Sequence, residues 1–67
     1  MPRAISALAL KAGDIILYTN PRFNERVVEV VSGRDGAIKV HTRFADSFGP
    51  GEPATSFYYP GDMVTVP

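Results

Sequence analysis

The chain has 67 residues, and its seven basic and seven acidic side chains give it a formal net charge of zero. This length has room for one domain with a thin core, so residues 1–67 are treated as a single unit. The chain contains no Cys and one His, which excludes disulfides and thiolate metal sites and argues against structural zinc. We therefore expect neither a metal nor a cofactor.

The first ten residues form a short apolar segment. The run ends at Lys11, far short of the roughly 20 residues that cross a bilayer. A signal peptide cleaved near Ala12 would leave too little chain to fold well. We interpret residues 1–10 as an arm or short helix that packs on the body or on a partner. The sequence thus predicts a cytoplasmic protein with no membrane partner.

From Gly13 onward the pattern alternates between strands and turns. Runs of β-branched and aromatic residues, bounded by Gly, Pro and Asn, predict strands over 15–19, 26–32, 37–44, 55–59 and 63–66. A Gly- and Pro-rich loop covers 45–54. The turn at Pro60-Gly61 is expected to be type II, with Gly61 at positive φ.

The hairpin between the second and third predicted strands can be given a register. In the third strand Lys39, His41 and Arg43 alternate with the apolar or Thr side chains at 38, 40, 42 and 44, so the two sets should face opposite sides.

A three-residue loop over 34–36 would fix this register. It places Val30 opposite Val40 and Glu29 opposite His41, which keeps the core residues on one face. Such a loop ends in a residue at positive φ, which glycine adopts at little cost. We therefore predict a left-handed Gly36.

Five short strands in about sixty residues favour a small barrel, since closure removes exposed sheet edges. The expected core is Ile15 or Ile16, Leu17, Val28, Val30, Ile38, Val40, Phe57 and Val64.

Three stretches carry a resemblance to a known fold family. They are Leu10–Ile15 opening the first strand, Val28–Val30 before the Gly-rich hairpin, and Tyr59–Val64 closing the barrel. This layout resembles the SH3-like barrels, and in particular very small SH3-like proteins of actinobacteria and their phages. The resemblance covers positions 8 to 66. It implies an all-β, five-stranded SH3-like barrel over 13–66, and no reaction, because most of those proteins have no established activity.

A catalytic constellation is hard to assemble from this sequence. His41 would need Glu29 to orient it and a nucleophile such as Ser32, on a strand face that nothing encloses. Ordinary cross-strand pairing of Glu29 with His41 accounts for the same residues. We therefore expect no enzyme activity.

A basic strand face suggests nucleic-acid binding. Basic groups that follow phosphates beside a stacking aromatic are how small barrels hold single strands. The alternative is a solvated face whose charge is balanced by Glu25 and Glu29. The candidate contacts are Arg34, Lys39, His41, Arg43 and Tyr58.

Surplus aromatic residues suggest protein binding. The chain has more of them than a small barrel can bury, and two lie in loops where an anchor would be expected. The alternative is that the loop aromatics cap the barrel ends. The candidate protein-binding residues are Phe23, Phe48, Tyr58 and Tyr59.

Zero net charge, a thin core and an apolar arm also suit a homo-oligomer. The sequence as a whole predicts a non-enzymatic binding module, first for a protein partner and alternatively for nucleic acid.

Overall fold

The protein is built almost entirely from β-strands. A computed structural model describes residues 1–33, 35–45 and 51–67. Within these ranges the all-β prediction is confirmed, and all five predicted strands are present. A sixth strand comes from the N-terminal segment. The strands are β1 (Arg3–Ser6), β2 (Ile15–Ile16), β3 (Glu25–Ser32), β4 (Ile38–Phe44), β5 (Pro53–Tyr58) and β6 (Met63–Val66).

The N-terminal segment packs on the body of the protein. β1 runs antiparallel to β6, and a short 3-10 helix over Ala7–Ala9 follows it. The Ser6 hydroxyl accepts a hydrogen bond from the backbone N–H of Leu8 at 3.2 Å and so caps this helix. Ala7 and Leu10 are buried in the core. The sequence predicted an arm or a short helix, and the segment forms a strand followed by a single turn of 3-10 helix.

The strands form two antiparallel sheets that curl into a half-barrel. One sheet has the order β2-β3-β4-β5, and the other pairs β1 with β6. A single bridge between Leu17 and Thr65 links them. Beyond Leu17 the chain leaves β2, which is therefore shorter than predicted. In this strand order β1 and β5 lie at the two ends.

The β3–β4 hairpin has the predicted register. Val30 pairs with Val40, and Glu29 pairs with His41. The N–H of Gly33 donates to the carbonyl of Ala37 at 2.7 Å, which closes the turn between β3 and β4. Gly36 has a φ of 86°, as the three-residue loop requires.

A β-bulge lies in β3 beside the regular part of the hairpin. Val27 pairs with Thr42 and Glu29 with His41, so Val28 has no residue opposite it. Val27 is buried, whereas Val28 is 48% exposed. The prediction that Val28 lies in the core is wrong, because the bulge inserts one extra residue into β3. The residues of β3 before Val28 therefore alternate between inward and outward in the opposite sense to those after it.

β5 has the opposite alternation to the one predicted. Ala54, Ser56 and Tyr58 pair with the three buried β4 residues and share their face. Phe57 therefore points outward and is 65% exposed, and its predicted place in the core is wrong. Tyr58 instead packs partly buried against the core.

The remaining core residues follow the predicted set in part. Ile16 rather than Ile15 is buried, while Leu17 and Val30 are only half-buried. The core consists of Ala7, Leu10, Ile16, Val27, Ile38, Val40, Val64 and Val66.

The turn between β5 and β6 is held by Asp62. Its N–H donates to the carbonyl of Tyr59 at 2.8 Å, and its carboxylate accepts from the N–H of Tyr59 at 2.8 Å. The described glycines at positive φ are Gly13, Gly36 and Gly51. The predicted left-handed Gly61 is therefore wrong, since these two hydrogen bonds form the turn without it.

Candidate functional site

One face of the four-stranded sheet points away from the core, and we call it the outer face. Residues directly opposite each other in antiparallel strands share a face, so the β3–β4–β5 register defines three rows across it. The rows are Val31–Lys39–Phe57, Glu29–His41–Thr55 and Arg26–Arg43–Pro53.

The outer face has an excess of positive charge although the chain is neutral. It carries three of the seven basic side chains, Arg26, Lys39 and Arg43, and one of the seven acidic ones, Glu29.

Acidic side chains concentrate in turns. The carboxylates of Asp14, Asp35 and Asp62 each accept a backbone N–H within their own turn, at 3.0, 3.1 and 2.8 Å. These three carboxylates are thus used to fix loops. The resulting segregation of charge gives the sheet a basic face.

Two arginines face each other across this sheet. Arg26 pairs with Arg43, and the other cross-strand neighbour of Arg26 is the apolar Ile15. One guanidinium nitrogen of Arg43 donates to the carbonyl of Gly51 at 2.9 Å, which orients the side chain. Like charges placed directly opposite each other cost stability. An anion between the two guanidinium groups would remove that cost, and phosphate suits such groups well.

Phe57 supplies an aromatic surface on the same face. Its side chain is 65% exposed, and its cross-strand neighbour is Lys39. An exposed ring beside an ammonium group can stack on a base while the charge contacts a phosphate. The outer face therefore combines the two elements that single-strand recognition requires.

The structure brings together three of the five residues predicted to bind nucleic acid. Lys39, His41 and Arg43 lie side by side on the outer face, as their alternation predicted. Tyr58 lies on the other face of β5, so the prediction that it points outward beside these residues is wrong, and Phe57 holds that outward position. Arg34 lies outside the described residues.

Arg26 is a site residue that the sequence pattern missed. It precedes the bulge, so the alternation of the later part of β3 assigns it to the wrong face.

Two of the predicted protein-binding aromatics, Phe23 and Tyr59, lie far apart. Phe23 follows β2 in a short 3-10 helix whose next residue, Asn24, accepts a hydrogen bond from Ala45 after the end of β4. Tyr59 begins the turn that carries Pro60 close to Gly36, before the start of β4. β4 is about 20 Å long, so the two rings lie at opposite ends of the sheet.

Of the two other candidates, Tyr58 is half-buried, and Phe48 lies outside the described residues. The binding of a protein partner by these aromatics stays a prediction.

Polar side chains also meet on the inner side of the sheet. Glu25 is 5% exposed and accepts a hydrogen bond from the Tyr18 hydroxyl at 2.8 Å, and the Tyr58 hydroxyl lies 3.4 Å from that of Tyr18. The expectation that Glu25 balances charge on the outer face is wrong, because it precedes the bulge and points inward. Burial, followed by the contacts with Tyr58 and Glu25, raises the pKa of Tyr18 far above its ordinary value.

The pKa of Tyr18 predicts how stability depends on pH. Unfolded Tyr18 loses its proton near pH 10, whereas the folded protein retains it at higher pH. Above pH 10 the unfolded state therefore binds fewer protons, and the free energy of unfolding should fall as pH rises. Tyr18→Phe should cost about 1 kcal/mol at pH 8, and the difference from wild type should shrink above pH 10.

Urea denaturation of both proteins from pH 8 to 11 measures this difference. A gap between wild type and Tyr18→Phe that stays constant over the range would contradict the retained proton.

The residues of the catalytic hypothesis are separated by the sheet. Ser32 pairs with buried Ile38, whereas His41 lies on the outer face. The His41 Nδ1 atom lies 3.3 Å from the Thr55 hydroxyl, and Glu29 is its neighbour on the other side. This exposed row matches ordinary cross-strand pairing.

No group of three or more metal-binding side chains is arranged to hold an ion among residues 1–33, 35–45 and 51–67. In the described parts of the chain, no helix has the length and apolar character needed to cross a membrane.

The chain was compared with protein-family models, curated proteins and solved structures, and none of them matches it significantly. The resemblance to SH3-like barrels therefore stays a prediction. Functional proposals for this protein rest on the geometry of its outer face.

Proposed function

We propose that this protein is a non-enzymatic module that binds single-stranded nucleic acid on its outer face. The observation that supports this most is the combination of Arg26, Lys39 and Arg43 with the exposed ring of Phe57 on one side of one sheet. Neither the neutral total charge nor the acidic turns alter this local arrangement.

The spacing of the charges favours a polymer over a single phosphate. Lys39 and Arg43 are four residues apart on β4, which places their Cα atoms about 13 Å apart. A lone phosphate cannot contact both groups closely. An extended backbone that crosses the sheet can place one phosphate between Arg26 and Arg43 and another near Lys39, with a base stacked on Phe57.

The expected affinity is modest and depends on salt. Contacts to two phosphates of a single strand, one shared by Arg26 and Arg43 and one near Lys39, give a slope of about −1.4 in log K against log salt concentration. Binding should therefore weaken about 7-fold between 50 and 200 mM salt. Fluorescence anisotropy with a labelled oligonucleotide measures this slope.

Two variants test whether residues of the outer face cause this salt dependence. Lys39→Gln should reduce its magnitude by about 0.7, because it removes one phosphate contact. Lys11→Gln, which changes an exposed lysine before β2, is the matched control and should leave the slope unchanged. Absence of binding at 50 mM salt, or equal effects of the two variants, would refute the proposal.

The choice of ligand separates nucleic acid from other polyanions. The same titration with polyglutamate supplies negative charge without bases. Single-stranded DNA or RNA should bind more tightly than polyglutamate of equal charge, because only the nucleic acid can stack on Phe57. Equal affinity for both would favour an acidic protein partner instead.

A further inference from the structure

The edge of the sheet formed by β5 has unpaired backbone groups. The N–H of Phe44 donates to the carbonyl of Glu52 at 3.1 Å, which marks that pair as hydrogen-bonded. Bonding alternates along an antiparallel strand, so Ala54, Ser56 and Tyr58 bond to β4. The N–H and C=O groups of the intervening residues, Thr55 and Phe57, point away from β4. Within the described residues no strand pairs with this edge.

β5 lacks charged residues that would discourage pairing with another strand. Proteins commonly protect an edge with charged side chains or proline. No charged residue occurs between Pro53 and Tyr58, and the one proline stands at the first position of the strand. β1, at the other end of the strand order, begins at Arg3 directly after Pro2.

We propose that two copies of this chain associate through their β5 edges to form one continuous antiparallel sheet. The two-fold axis passes beside Ser56, so that Thr55 of each copy lies opposite Phe57 of the other. Each of these two pairs exchanges two N–H to C=O hydrogen bonds. All four outward N–H groups of Thr55 and Phe57 are satisfied in this arrangement.

The edge is self-complementary in length as well as in register. It ends at Pro53, which has no N–H to donate, and at Tyr59, whose N–H is already bonded to the Asp62 carboxylate. The outward backbone groups that remain available are those of Thr55 and Phe57. An identical strand that runs antiparallel presents the same groups in the matching order.

The side chains and charges favour a second copy as the occupant. Each exposed Phe57 ring would pack on the β-branched Thr55 side chain of the other copy, which is a favourable cross-strand pair. The paired edges bring no like charges together, and the neutral chain adds no net repulsion at long range. Both outer faces would then lie on the same side of an eight-stranded sheet.

Sedimentation velocity without nucleic acid tests this proposal between 10 µM and 1 mM protein. The wild type should change with concentration from 7.3 kDa to twice that mass. Thr55→Pro removes an outward N–H and leaves the bonds to β4 intact, so it should remain a monomer. Ala4→Pro is the matched control, since the N–H of Ala4 points away from β6 at the other edge, and it should still dimerise.

Two results of these measurements would contradict a dimer formed through the β5 edges. A wild type that stays at the monomer mass at 1 mM would overturn the proposal, as would a dimer that Ala4→Pro abolishes and Thr55→Pro does not. Circular dichroism melts establish that the variants fold. If Thr55→Pro fails to fold, Phe57→Lys takes its place, because it removes the contact between Phe57 and Thr55 and brings one ammonium group from each copy close to the two-fold axis, where the like charges should equally prevent dimerisation.

A cysteine variant tests the register. The natural chain has no Cys, and Ser56 would face its own copy as a non-hydrogen-bonded pair with Cα atoms about 4.5 Å apart. This separation is within the range of a disulfide. Oxidised Ser56→Cys should therefore form a covalent dimer, whereas Ser32→Cys, near the far end of β3, should not. A non-covalent dimer without a Ser56→Cys cross-link would refute this register. These measurements use no nucleic acid, so their failure would leave the proposed binding function untouched.

Discussion

Replacement of Phe57 by alanine is expected to weaken the binding of a single-stranded oligonucleotide by roughly 5- to 150-fold. Loss of one base–aromatic stack costs about 1–3 kcal/mol. The ring contributes little to the core because it is 65% exposed, so the fold should survive the substitution. Anisotropy titration of wild type and variant at 50 mM salt measures the loss.

Two other exposed aromatics serve as controls for this effect. Phe23 and Tyr59 are 56% and 59% exposed, yet they lie at the two ends of the sheet. Alanine at either position should change affinity by less than about twofold. An abasic oligonucleotide of equal length should bind wild type and Phe57→Ala equally well. If Phe23→Ala or Tyr59→Ala causes the larger loss, the binding surface lies elsewhere.

Replacement of Gly51 by alanine should be the most damaging glycine substitution in the described part of the chain. Gly51 has a φ of 81°, and a Cβ atom there would clash with the carbonyl of Phe44. The left-handed conformation alone costs about 1–2 kcal/mol for a residue with a side chain. With the clash against backbone we expect a loss of at least about 2 kcal/mol, or a melting temperature lower by about 10 °C.

Alanine substitutions at two further glycines distinguish the cost of the clash from the cost of the left-handed backbone. Gly13 has a φ of 97° and open space around its missing Cβ, so Gly13→Ala should show the strain alone. Gly61 has neither positive φ nor a neighbour within 4 Å, so Gly61→Ala should be neutral or slightly stabilising. Thermal melts of the three variants should therefore rank Gly51, Gly13 and Gly61 from most to least destabilised. Equal losses at Gly51 and Gly13 would contradict the clash.

Gly51 also connects loop stability with the candidate site. Its carbonyl accepts the hydrogen bond from Arg43 at 2.9 Å. A displaced Gly51 should release that guanidinium group, and Gly51→Ala should then weaken oligonucleotide binding even at temperatures where the protein is fully folded.

The sequence was most informative where a strand is regular and its turn is short. The alternation of β4 and the glycine at position 36 were sufficient to predict the pairs Val30–Val40 and Glu29–His41. The same pattern placed Lys39, His41 and Arg43 on one face. These features depend on local geometry alone.

The remainder of the site depends on long-range pairing. No local signal marks the bulge at Val28, so Glu25 was expected on the outer face and Arg26 was not among the predicted site residues. In β5, Phe57 and Tyr58 are both aromatic, and neither composition nor β-propensity decides which one points inward. Pairing with the buried residues of β4 decides it. The stacking residue of the proposed interface was therefore beyond prediction from this sequence.

The bulge also determines where this chain can change in length. Removal of Val28 would join Val27, which points inward, directly to Glu29, which points outward, and both would keep their β4 partners. A deletion at any other position of β3 that leaves the bulge in place would move the side chains at one end of the strand to the opposite face of the sheet. Homologues one residue shorter in this strand should therefore align with a gap at position 28, and their basic outer face should be preserved across that gap.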